Sequence, residues 1–266
     1  MARPKGPLRA WAVLAWLAVW QVAAMALAAA YPHGGLLLAS PLSSLRRLGE
    51  LAVTVPFWRA VGWSACRILG GFLLSCLAAA VLAALAARYP KAAELFFPPV
   101  AAVKATPVAS FIILALVWLD SGQLPLFIAF LMVFPTVYLN LLEGIRQTDG
   151  KLLEMARVFR VSPARRLRGI YLPQVLPYFR SAASLGLGLC WKAGVAAEVI
   201  GLPAGSMGER LYTAKIYYQT PDLFAWTAAI VAVSMAFERL FLKLVDSLLL
   251  WQINNFTIGV SRPLPK

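Results

Sequence analysis

The chain has 266 residues, 61% of them hydrophobic and 14% charged, which is too apolar for a soluble domain to hide in one core. Its 25 Lys and Arg against 11 Asp and Glu give a net charge of +14, a balance that suits nucleic acid, anionic lipid or the loops of a membrane protein. The apolar residues fall in long runs rather than alternating stripes, which excludes a β-barrel and matches helices crossing roughly 30 Å of hydrocarbon with about 20 residues each.

The first run extends from Trp11 to Ala30, with Gln21 its only polar residue, after Arg3, Lys5 and Arg9. It exceeds the roughly 7 to 15 apolar residues of a cleaved signal, so an uncleaved first helix is the better reading, although Ala28-Ala29-Ala30 has the form of a cleavage site. His33, the single histidine, reads as a solvated loop residue. Five further crossings are predicted, near Ile68–Ala87, Thr106–Leu119, Leu124–Leu142, Ser181–Ile200 and Leu223–Phe237, the last with a charged helical continuation. The fold class is therefore all-α: a polytopic membrane protein of about six transmembrane helices, residues 1–266 forming one domain. Cys66, Cys76 and Cys190 lack disulfide or metal spacing and read as small core residues.

Positive residues collect on the cytoplasmic side of membranes. With the N-terminus inside, the cytoplasmic pieces hold three Lys and Arg before the first helix, three over Arg88–Lys104, seven over Arg146–Arg168 and four after Glu238. The outside pieces hold four over Tyr31–Arg67, none over Asp120–Pro125 and two over Glu198–Asp222. Both ends are thus expected in the cytoplasm, and the basic residues become loop charges rather than a nucleic-acid patch. Arg46, Arg47, Arg59 and Arg67 run against this bias, in a connection expected to be partly an interfacial helix.

The connection after the fourth crossing, about 146–173, is the most informative. Leu152, Leu153, Met155, Ala156 and Phe159 recur at helical spacing, which gives a short helix with an apolar and a basic side. Ser162-Pro163 then supplies an N-cap and a first-turn proline for a second short helix. A partner that moves such a pair drags the fourth and fifth crossings with it.

Here the chain resembles the inner-membrane permeases of binding-protein-dependent ABC importers. Their Glu-Ala-Ala signature, with a Gly four residues on and a later Ile-x-Leu-Pro, is matched by Glu154-Met155-Ala156 and Ile170-Tyr171-Leu172-Pro173, with Met155 for the first Ala and Arg160 in the Gly position. Arg67-Ile68-Leu69-Gly70-Gly71-Phe72, Lys104-Ala105-Thr106-Pro107 and Trp191-Lys192 through Ala197-Glu198 are similar to the nitrate, sulfonate and taurine type. The resemblance implies that the connection is a coupling helix docking on a cytoplasmic ATPase dimer, with Glu154, Met155, Ala156, Arg157, Phe159, Arg160, Val161, Ser162, Ile170, Leu172 and Pro173 involved. It also implies an extracytoplasmic substrate-binding protein, a second permease subunit and residence in a bacterial inner membrane. The substrates it implies are small anions such as sulfonates and nitrate, or thiamin-precursor pyrimidines.

Three charged residues are candidates for the translocation path. Lys192 sits within an apolar crossing, where a Lys costs about 2.5 to 3.5 kcal/mol; it either faces a wet path or serves structure, paired with Glu198 or snorkelling outward. Glu198, before the helix-breaking 201–205, is a gate or a loop anchor. Lys104, ahead of Thr106-Pro107, is a path residue or an inner-leaflet anchor, with Pro107 expected to kink its helix. Pro135 suggests a second kink, eased by Thr136 or Asn140. Ala182, Gly186 and Gly188 offer a small-residue face for packing. No phosphate-binding loop is present, so no ATP site, catalytic residue, metal or cofactor is expected, and a self-powered carrier or a membrane enzyme finds little support.

Overall fold

The computed structural model describes residues 10–31 and 34–260. His33 and the N-terminal Arg3, Lys5 and Arg9 lie outside them. The elements in chain order are α1 (Ala10–Ala30), α2 (Gly34–Leu37), α3 (Pro41–Ala52), α4 (Val55–Arg88), α5 (Pro90–Ala105), α6 (Val108–Ala115), α7 (Leu124–Arg146), α8 (Gly150–Val158) and α9 (Pro163–Arg166). A π-helical segment (Leu167–Tyr171) joins α9 to α10 (Leu172–Gly201), followed by α11 (Met207–Ile216) and α12 (Thr220–Val260). The described residues contain no strand, and the chain is an all-α polytopic membrane protein. By length and hydropathy, four helical stretches suffice to cross a bilayer among the described residues: Trp11–Ala30, Val55–Arg88, Leu124–Arg146 and Pro163–Gly201. The α5–α6 pair makes a fifth if its two halves count together, and the last predicted run, Leu223–Phe237, lies within α12.

Two compact units divide the chain: residues 1–63 with 202–232, and residues 64–201 with 233–266. In the first, polar contacts accompany an apolar core that includes Phe57, Met207 and Trp226. Ser40 caps α3, accepting from Ser43 N at 3.1 Å, and Trp20 Nε1 donates to Ala39 O at 3.0 Å. Arg47 grips Asp222 through two bonds, of 2.6 and 3.1 Å, and reaches Glu50 at 3.0 Å, while Arg46 pairs with Glu50 at 3.3 Å. These pairs account for two of the four arginines that break the charge bias: they decorate the amphipathic α3. The other two, Arg59 and Arg67, are not loop residues at all. The second crossing begins thirteen residues earlier than predicted, at Val55, so both lie inside α4. Arg59, Ser64 and Arg67 interrupt the apolar run over its first turns and mask that start, because an unbroken apolar run marks the hydrocarbon and not the helix end. At 1.5 Å per residue its 34 residues span about 51 Å, well beyond the hydrocarbon.

The second unit is a close-packed apolar core. Ile68 and Phe72 of α4, Ile128 and Val133 of α7 and Leu187 of α10 are at most 1% exposed. The helices approach so closely that a Cβ on Gly71 would sit 2.2 Å from Leu126 O, and one on Gly194 would sit 2.6 Å from Ile68 Cγ1. Gly186 likewise admits Val133 at 3.1 Å, whereas Gly188 meets nothing. The small-residue face of α10 therefore splits: Ala182 is buried and Gly186 lies against Val133 of α7 and Phe72 of α4, whereas Gly188 meets nothing. Arg180 pairs with Asp246, and Ser184 donates to Glu238 at 3.0 Å, joining α10 to α12. Of the cysteines only Cys190 is buried; Cys66 is exposed on α4, since apolar surroundings in the sequence do not distinguish core from lipid-facing positions.

Two further expectations are corrected. The predicted third crossing, Thr106–Leu119, holds only the eight-residue α6, too short to span a bilayer alone, and the chain bends by 104° between α5 and α6 where that crossing is expected to begin. Pro107 is the N-cap of α6 rather than a kink inside a continuous helix, since it forces the preceding residue out of the helical region. Pro135 does sit inside α7, but Asn140 donates to Thr136 O at 2.8 Å and not to the Leu131 carbonyl whose donor the proline removes.

Candidate coupling surface and translocation face

α8 begins at Asp149, whose carboxylate accepts from Lys151 N at 2.8 Å, while its own N–H donates to Gln174 Oε1 of α10 at 2.9 Å. The first of these caps the helix and the second ties its start to the next spanning helix. At the other end Arg160 has φ +50°, in the left-handed region, with Arg160 N on Arg157 O at 3.1 Å and Val161 N on Ala156 O at 2.9 Å. That pair of bonds is a Schellman motif, which satisfies carbonyls left over at a helix end and favours glycine at its left-handed position. Arg160 thus occupies a glycine-type conformation, and the Gly of the matching signature position has a backbone reason.

Ser162 is the N-cap and Pro163 the first residue of α9, as the sequence suggests, but Ser162 makes no side-chain cap bond. Arg166 Nε instead donates to Val161 O at 2.8 Å. The second short helix is not separate: Pro163–Gly201 is one continuous helical path, interrupted only by the π segment, in which Leu172 N donates to Leu167 O. The apolar stripe seen in the sequence also divides. Ala156 is 1% exposed and Leu153 half-buried, but Met155 is 49% exposed, Val158 78% and Phe159 74%. Glu154, Arg157 and Arg160 are exposed beside them. A nine-residue helix clamped at both ends that shows large apolar side chains to solvent has the form of a partner surface. Val161, Ile170 and Pro173 are half-buried, and Leu172 turns toward a cavity between α4, α7 and α10.

The three charged candidates separate in space. Lys192 is exposed on α10, along the open stripe of Ser181, Leu185 and Leu189, about two thirds of the way along that helix. Glu198 is fully buried, accepting from Ser64 Oγ of α4 at 2.8 Å, and Ser64 is equally buried. Six residues apart, the two project from different faces of α10. Lys104 is exposed in the last turn of α5, where a cation suits the helix C-terminus. Ser64 had no sequence signal, because nothing in an apolar crossing marks one serine as the donor to a carboxylate more than 130 residues away.

The model of the binding-protein-dependent transport system inner membrane component matches residues 71–249, more than half of the chain. A Brucella abortus (strain 2308) protein named as an ABC transporter permease is 28% identical over 220 residues, covering 82% of this chain and 88% of that one. A Bacillus subtilis (strain 168) protein named for aliphatic sulfonates transport, SsuC, is 28% identical over 245 residues, 89% and 84% of the two chains. The bicarbonate transport system permease protein CmpB of Synechococcus elongatus is 25% identical over 186 residues, 69% and 66%. With its family region running from the glycine-limited crossing of α4 through α8 and α10, the chain belongs to the inner-membrane components of binding-protein-dependent transport systems, the permeases of ABC importers.

Proposed function

We propose that the chain is the permease subunit of an ATP-driven importer, pairing with a second copy to form the path of a small anion such as a sulfonate or nitrate. The anion arrives from an extracytoplasmic binding protein, and a cytoplasmic ATPase dimer drives the cycle by moving α8. Both termini lie in the cytoplasm, and residues 1–266 act as one permease domain. The observation that carries this reading is the exposed row of Met155, Val158 and Phe159 on a helix clamped to α10 by Asp149 and Gln174. Displacing α8 pulls on α10, whose open face carries Lys192. A cation on an apolar span is tolerated where a wet cavity or a partner covers it, and an anion path supplies both the water and the counter-charge. Relatives named for sulfonate and bicarbonate transport are in keeping with a small anion.

The test is co-purification from native membranes, with vanadate-sensitive ATP hydrolysis and uptake measured before and after Glu154→Lys and Phe159→Ser. Both variants should insert normally and lose the ATPase, or retain it with hydrolysis uncoupled from uptake. Normal uptake in both would remove α8 from the coupling surface. Lys192→Met should reduce anion uptake at unchanged ATPase recovery; unchanged uptake would return Lys192 to a structural role.

A further inference from the structure

A cavity of about 540 Å³ opens between α4, the inner end of α7 and the start of α10. Its size is that of a ligand site and its walls are apolar. One wall is Ala80, Ala84 and Ala87, spaced four and three residues apart on one face of α4, and their short side chains leave the space unfilled. The opposite wall is Val175, Leu176 and Phe179 of α10, with Leu167 and Tyr171 of the π segment closing one end. Arg88, the last residue of α4, is the one charged residue that lines it, and no acid does. Ala80 and Ala84 are exposed although they lie in a spanning helix, so the slot opens sideways toward the bilayer.

We propose that this slot holds an acyl chain of an anionic phospholipid, with its phosphate on Arg88, and that the lipid braces the π segment leading from α8 into α10. An apolar slot ending in a lone cation at a membrane boundary matches a lipid in both parts: hydrocarbon in the slot and a negative headgroup at its mouth. Arg168, exposed within the π segment, adds positive charge at the same end of α10. A helix from a second copy is the competing occupant, and it offers no headgroup anion to the Arg88 mouth unless one of its few acids falls there. This inference does not depend on which partner docks at α8, since lipid binding needs only the chain itself.

The test is native mass spectrometry of the full-length chain in detergent, titrated with phosphatidylglycerol or with phosphatidylcholine. Wild type should retain one phosphatidylglycerol about fivefold more strongly than phosphatidylcholine, the preference that one basic residue near the headgroup supplies. Arg88→Gln should abolish that preference while still binding both lipids, and Ala84→Phe, which fills the slot, should abolish retention of both. Equal retention of the two lipids by wild type, or retention unchanged in Ala84→Phe, overturns the proposal. So does a shift from dimer to monomer in Ala84→Phe without loss of lipid, which assigns the slot to a second copy. Should Ala84→Phe fail to fold, a photoreactive phosphatidylglycerol must label the peptide holding Leu176 and Phe179 in wild type; labelling elsewhere refutes the site.

Discussion

The crossing of α4 with α7 and the short helix α8 belong to the same compact unit and are built by opposite rules. At the crossing, glycines let backbones approach until a single methyl has no room, and Ile68, Phe72, Ile128 and Val133 are fully covered. On α8 the helix is capped at its ends, by Asp149 and by the Schellman motif at Arg160, Ala156 alone is fully covered, and Met155, Val158 and Phe159 stand in the open. For the coupling role proposed for α8, the contrast teaches that a transmitted motion needs both an unyielding body to be moved and a small, exposed handle to move it by.

Substitutions sharpen the contrast, beginning with Gly71→Val. Its Cβ would lie 2.2 Å from a backbone oxygen that cannot rotate away, so overpacking at the upper end of about 1 to 3 kcal/mol or more is expected. Thermal unfolding in detergent and the yield of monodisperse protein report it; an unchanged melting temperature would mean the close crossing is not formed. Phe159→Ser on α8 is the counterpart and should stay within about 0.5 kcal/mol of wild type in the same assay. Ser64→Ala comes next, with about 1 to 3 kcal/mol expected from removing a donor to a buried carboxylate, and Ser64→Thr recovering part of it. Full stability in Ser64→Ala would show that the Ser64 bond contributes nothing at Glu198.

Arg160→Gly acts in the other direction. Removing a Cβ from a left-handed residue relieves roughly 1 kcal/mol, partly offset by the freedom glycine gains in the unfolded chain. A slightly raised melting temperature with ATPase recovery intact is expected; loss of the ATPase would mean that the partner reads the guanidinium itself. The smallest effect concerns Glu50, whose carboxyl is held below the usual carboxylate range by Arg47, then by Arg46. A depressed folded-state pKa means the stabilisation is present above the unfolded value of about 4.3 and is lost as pH falls through the lower folded one. Glu50→Gln should therefore flatten slightly the acid limb of a melting-temperature profile; an unchanged limb would make the pair inert, as many exposed pairs are.

Much of this architecture is legible in composition and spacing. Runs of apolar residues reveal where hydrocarbon is crossed, and the spacing of Leu152 to Phe159 gives a short helix, although not the Asp149 cap that begins it. What escapes is whatever depends on direction rather than content. Thr106–Leu119 is uniformly apolar, and no periodicity records that the chain turns by 104° just as it begins. The stripe on α8 shows which side chains share a face, but not that Ala156 is covered by its own protein while Phe159 is left mostly open. Lys192 and Glu198 look alike as charges in one crossing, and only the packing of α4 against α10 separates an open cation from a buried acid. Arg160 is the intermediate case: its place in a glycine position is a sequence observation, and its left-handed φ supplies the physics.

The five-residue π segment at Leu167–Tyr171 accommodates an extra residue between α8 and the spanning helix α10. A π turn takes up about one residue more than an α turn, so deleting one residue there with ordinary α-helical winding restored would leave α8 near its present bearing around α10, whereas a deletion in the α-helical turns that follow would swing it by about 100°. The segment is thus a tolerance in the path between the two helices, a place where the residue count changes by one with little change in where α8 is offered.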